Sequence, residues 1–78
     1  MADALLKAVG VGKLTEYFEY LDRLRETGAT NMFGAGPFLM RKFPGMAKQE
    51  ASKVHMAWMR TFDGTTPAED RADKALED

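Results

Sequence analysis

The sequence predicts an all-α fold, on three observations. Two long segments repeat apolar residues at three- and four-residue spacing. Glycine, proline and capping residues fall where helices start and stop. No stretch alternates apolar and polar residues at period two over the length a strand needs. The expected architecture is a small three-helix core with short extra helices at the N- and C-termini. With 78 residues there is room for one domain. A chain this short buries only about 60% of its unfolded surface, so a partner or a second copy adds usefully to its stability.

Residues 1–12 read as a short N-terminal helix and a glycine break. Asp3 is placed to cap a helix over residues 4–9, which Gly10-Val11-Gly12 interrupts. Residues 13–62 read as the three-helix core. In its first helix, residues 14–27, Leu14, Tyr17, Phe18, Leu21 and Leu24 share one face. Glu16, Glu19, Asp22, Arg23 and Glu26 take the opposite side, and Gly28 stands where a helix ends in a left-handed residue.

The next segment carries Met32, Phe33, Ala35, Leu39, Met40 and Phe43, with Gly34, Gly36 and Pro37 among them. Proline lacks an amide hydrogen, so either a helix starts near Pro37 and runs over residues 37–43, or one helix beginning at Asn31 is kinked there. Pro44-Gly45 ends it. The last core helix, residues 47–62, places Ala47, Ala51, Val54, Trp58 and Phe62 on one stripe, and Lys48, Ser52, Lys53 and Arg60 away from it. Residues 63–78 read as an acidic C-terminal helical tail. Thr66, Pro67 and Glu69 have the spacing of a capping box. The helix that follows offers only Ala68, Ala72, Ala75 and Leu76 as apolar residues, which predicts weak docking. The expected core is Leu14, Phe18, Leu21, Leu24, Leu39, Phe43, Val54, Trp58 and Phe62.

Charge is unevenly spread. Residues 31–62 hold Arg41, Lys42, Lys48, Lys53 and Arg60 against Glu50 alone. Residues 63–78 hold Asp63, Glu69, Asp70, Asp73, Glu77 and Asp78 against Arg71 and Lys74. A basic middle and an acidic end suit an anionic partner, or a tail that screens the basic face.

The residue types exclude several chemistries. There is no cysteine, hence no disulfide, thiolate metal site or cysteine nucleophile. His55 is the only histidine, which removes histidine-pair metal sites, and neither glycine-rich segment has the lysine-serine ending of a phosphate loop. No catalytic set is present, and the chain is expected to be non-enzymatic and free of cofactors and metals. No apolar run approaches the roughly 20 residues of a bilayer span. The opening residues lack the charged and apolar regions of a signal peptide.

Two functional readings remain, from different classes. The first is a protein-binding module that uses Asn31, Met32, Phe33, Met40, Met56 and Met59. Methionine and phenylalanine beside two glycines suit an exposed apolar loop, and methionines serve adaptable surfaces as well as core gaps. The second is a helix-turn-helix-like nucleic-acid-binding protein using Arg41, Lys42, Lys48, Lys53 and Arg60. There, Pro44-Gly45 forms the turn and Lys48, Gln49, Ser52 and Lys53 face phosphates and base edges. A homodimer is compatible with either, since surplus apolar residues gain by burial against a copy.

The run from Tyr17 to Phe62 resembles small proteins encoded by tailed bacteriophages. They carry a similar order of a leucine-rich helix, a TNMFGA-type loop and a second helix ending in a tryptophan-containing segment. Here the motif is Thr30, Asn31, Met32, Phe33, Gly34 and Ala35, with Trp58 downstream. The resemblance implies origin more than activity. Phage proteins of this size often block or redirect a host protein, so it implies a host partner, host modulation and the cytoplasm of an infected or lysogenic bacterium.

Overall fold

A computed structural model describes residues 4–30 and 34–77, and all its regular elements are helices: α1 (Ala4–Val9), α2 (Val11–Thr27), α3 (Gly36–Lys42), α4 (Lys48–Thr61) and α5 (Ala68–Glu77). The expected all-α class is therefore observed. The broken start is tighter than the sequence suggests, because Gly10 alone leaves the helical region, at φ 89°, while Gly12 lies inside α2. Hydrogen bonds continue on both sides of Gly10, from its amide to Leu6 and from the Leu14 amide to its carbonyl. α1 and α2 are thus two helices that meet at one residue, which ends the first and caps the second. The proposed cap Asp3 lies outside the described residues.

α2 buries Leu14, Tyr17, Phe18 and Leu21 and ends at Gly28, whose left-handed φ of 74° lets its amide return to the Arg25 carbonyl. α3 starts at Gly36 with Pro37 in its first turn, so the unkinked alternative holds there: the missing proline amide falls where a helix has no partner for it. The helix stops at Phe43, before Pro44, since a residue preceding proline is pushed out of the helical region. α4 turns Ala51, Val54, Ala57, Trp58 and Thr61 inward, and the buried Thr61 hydroxyl donates to the Ala57 carbonyl at 2.8 Å.

Leu14, Phe18, Leu21, Leu39, Val54 and Trp58 form the centre of the core, as expected. Leu24, Phe43 and Phe62 are instead half-buried and pack against its edge. Phe43 there meets Tyr17 and Tyr20 edge-to-face, with ring centroids 4.7 and 5.7 Å apart. Leu6, Met46 and several alanines also belong to the core.

The C-terminal helix departs most from expectation. Its few apolar residues predict a weakly docked tail, whereas α5 packs extensively against α2 and also meets α4, burying Ala68, Ala72 and Ala75. Alanines supply little apolar area each, yet their small size lets two helices approach closely, which a count of large apolar residues does not register. Arg71 is also buried, at 3% exposure. Its Nη2 donates to Asp22 Oδ2 and its Nε to the Thr66 carbonyl at 2.8 Å, while Trp58 Nε1 donates to Asp22 Oδ1 at 2.8 Å. One carboxylate thus joins α2, α4 and α5. The Arg71 guanidinium lies 5.8 Å from the Phe18 ring centroid and 5.5 Å from that of Phe62.

The capping box is not formed either. α5 begins at Ala68, and the Thr66 hydroxyl donates to Asp63 Oδ2 in the preceding turn. The amides of Thr65 and Thr66 donate to Asp63 Oδ1 at 2.9 and 2.8 Å. These bonds, the Thr66 hydroxyl first, hold the Asp63 carboxyl well below the usual carboxylate range. The unfolded chain takes up its proton near pH 4, so the turn's contribution is intact above that pH and declines as pH falls below it. An NMR titration should place the Asp63 carboxyl carbon below the exposed glutamates. A midpoint near 4 would mean that the turn is open in solution.

Candidate functional site

α3 and α4 are joined by residues 43–47 and pack on one another. Between them lies a mainly apolar groove of about 190 Å³, lined by Gly36, Pro37 and Met40 from α3 and Lys48, Ala51, Ser52 and His55 from α4. The start of α3 comes close to the histidine: a Cβ on Gly36 would stand 3.5 Å from His55 Nδ1, ordinary contact that leaves no gap. His55 is half-buried, its ring stacked on that of Trp58 at 6.3 Å between centroids and 25° between planes. One wall of the groove is therefore fixed to the core through Trp58.

Met40 is 40% exposed and Met56 60%. Met56 lies one helical turn beyond Ser52, so both methionines edge the same surface. Burial of α4 on one side leaves Met56 near the middle of its outward side, with Gln49, Ser52, Lys53 and Arg60 around it. Met59 differs: it is half-buried and packs against the core. Asn31, Met32 and Phe33 lie outside the described residues. Of the six residues expected at a protein-binding surface, two come together on this face.

The basic residues divide. Lys48 lines the groove, and Lys53 and Arg60 are exposed along α4. Arg41 is exposed on α3, its guanidinium 5.2 Å from the Phe38 ring centroid. Lys42 faces elsewhere, lining one hollow with Glu16, Glu19 and Tyr20, and another with Tyr17 and Glu50. Lys42 therefore stands apart from the other four expected nucleic-acid contacts.

The electrostatics of the face follow from a single side chain. Glu50 is the only acidic residue between positions 31 and 62. It points toward α2, where the Tyr17 hydroxyl donates to its Oε2 at 3.4 Å. Burial, and then the charge of Glu50, push the Tyr17 hydroxyl above its ordinary pKa, so it stays protonated at neutral pH. With Glu50 turned away, no carboxylate lines the α3–α4 groove. Acidic side chains gather on other surfaces, with Glu16, Glu19 and Glu26 exposed on α2 and Glu69, Asp70, Asp73 and Glu77 on α5. The molecule presents one basic, methionine-bearing face and one acidic helix, α5, while α2 balances its exposed glutamates with exposed Lys13, Arg23 and Arg25.

The groove itself was missed by the sequence reading, although its signals are present. Gly36-Pro37 starts a helix with no bulky side chain, and Ala51 and Ser52 keep the facing side of α4 shallow. Among the described residues no cluster of three or more histidines or carboxylates could hold a metal ion, and no helix is long and apolar enough to cross a membrane. No known protein family, curated protein or solved structure matches the chain.

Proposed function

We propose that this chain is a small non-enzymatic protein-binding module that engages its partner through the outward face of α3 and α4. The observation that carries the reading is the pair of exposed methionines, Met40 and Met56, at the edge of a groove free of carboxylates. Covering a methionine side chain gains about 1.5–3 kcal/mol, and its flexible thioether adapts to a partner's contour. The resemblance of residues 17–62 to tailed-phage proteins supports a host protein as the partner, blocked or redirected by the contact.

A nucleic-acid reading draws support from the exposed Lys48, Gln49, Ser52 and Lys53 at the start of α4. It ranks second because Met56 occupies the centre of the helix face that would meet the groove, and because Lys42 lies elsewhere.

The test compares the chain with its Met40→Gln/Met56→Gln variant as baits in nuclease-treated bacterial lysate. Both positions are exposed and the replacements are similar in size, so the fold should survive. One stoichiometric protein should be retained by the parent chain and bound about ten- to a hundredfold more weakly by the variant, since the exposed parts of Met40 and Met56 together amount to about one methionine side chain. Equal retention by both baits, or retention of nucleic acid alone before nuclease treatment, would contradict the proposal.

A further inference from the structure

The occupant of the groove can be specified by its chemistry, given the protein-binding reading above. We infer that it is an acidic amphipathic helix, laid along the α3–α4 groove with its apolar residues on Met40 and Met56 and its carboxylates against Lys48, Lys53 and Arg60.

The inference rests first on charge. Glu50 alone could have made this face mixed, and its contact with Tyr17 removes it to the other side of α4. What remains beside the groove is Lys48, with Lys53 and Arg60 along the same helix and Arg41 on α3. An acidic segment meets complementary charge here, repulsion at the outer side of α5, where Glu69, Asp70, Asp73 and Glu77 are exposed beside Lys74, and no net charge on α2, where Lys13, Arg23 and Arg25 offset Glu16, Glu19 and Glu26. The same distribution would draw a basic segment to α5 instead. Charge therefore selects both the sign of the ligand and the face it occupies.

Spacing adds the second part. Lys48 and Arg60 are twelve positions apart on α4, which is about 18 Å at the helical rise per residue. That is three and a third turns, so Lys48 and Arg60 lie about 120° apart around α4, on either side of Met56, where they flank a helix of modest length lying over it. Two apolar contacts, with Met40 on one helix and Met56 on the other, suit the side chains that a helix presents at i, i+3 or i+4, and i+7. A nucleic acid would meet the same cations, but the uncharged methionines and the mainly apolar groove would go unused by its phosphates.

The probe is a synthetic peptide of about 16 residues with leucines at helical spacing and glutamates on both flanks. It is compared with the same peptide carrying lysine for glutamate, and with a short DNA duplex. Affinities are measured by calorimetry, and contacts by amide chemical shifts of the labelled protein. The acidic peptide should bind at least tenfold more tightly than the lysine peptide, weaken as salt rises, and shift amides of α3 and α4. Lys48→Glu together with Lys53→Glu should reverse the preference. Equal affinity for the two peptides, shifts confined to α2 and α5, or tighter binding of the duplex would overturn the inference. The Met40→Gln/Met56→Gln variant separates the two levels. If it weakens both peptides equally, the docking face stands and the acidic specificity falls. If it weakens neither, the docking face falls as well.

Discussion

Replacing Asp22 with alanine should cost about 3–5 kcal/mol of folding stability, the range for leaving a buried charge without its partner. Arg71 is 3% exposed and holds two anchors, the Asp22 carboxylate and the Thr66 carbonyl. Its Nη1 is buried with no hydrogen-bond acceptor among the described residues even with Asp22 in place. Without the carboxylate, the faces of Phe18 and Phe62 remain, worth about 0.5–2 kcal/mol together with the cation and too little to replace a counter-ion. The Asp22 side chain is 28% exposed, so water can partly fill the vacated space, which favours the lower end of the range. A chain of this length has roughly 4–12 kcal/mol in total, so the loss is a large fraction of it. Urea unfolding followed by circular dichroism measures it. Pairing the change with Arg71→Met should recover much of the loss, since a well-packed apolar residue needs no counter-ion. A cost below about 1 kcal/mol for Asp22→Ala would mean that α5 does not depend on this pair.

Trp58→Ala should cost a similar amount, about 3–5 kcal/mol, for a different reason. Trp58 is 1% exposed at the centre of the core, with Phe62 at 5.4 Å and His55 at 6.3 Å between ring centroids. Truncation opens a cavity, removes the hydrogen bond to Asp22 and frees the histidine that walls the groove. Trp58→Phe isolates the hydrogen bond and should cost less, because Asp22 keeps Arg71 as a donor. Because both sites act on Asp22, Trp58→Ala and Asp22→Ala should be less than additive in a double-mutant cycle. An unchanged thermal midpoint after Trp58→Ala would contradict the core itself.

Much of the fold was legible because α2 and α4 carry large apolar residues at helical period, the pattern that burial of one face requires. Gly28 and Pro37 could be placed because their backbone geometry is intrinsic to the residue and independent of the surroundings. α5 was harder. Its docking rests on three small alanines and an arginine whose counter-ion, Asp22, is 49 positions away in the chain. From sequence alone Asp22 belongs to a solvated acidic face, and nothing local distinguishes it from Glu19 or Glu26. Thr66 shows a related limit: its hydroxyl could accept from an amide of the helix terminus or donate to the Asp63 carboxylate, and the turn at Asp63 prevailed.

The candidate site divides along the same line. Composition singled out Met40, Met56 and Met59 together, but only packing shows that Met59 is committed to the core while the other two face outward. The excess of basic residues in the middle of the chain was equally visible. That Lys42 and Glu50 leave the outward face, one taking a cation away and the other taking the only carboxylate away, follows from how α3 and α4 rotate against α2.

The central claim is that the α3–α4 surface is where a partner protein sits. It is tested most directly by site-specific photo-crosslinking, with a diazirine-bearing amino acid at position 56 and, as a control, at position 11, where Val11 is an exposed apolar residue away from the groove. In nuclease-treated bacterial lysate, the probe at position 56 should give one discrete protein adduct, and the probe at position 11 should not. An adduct of equal yield at position 11, or none at position 56 while a partner is still captured, would contradict the claim.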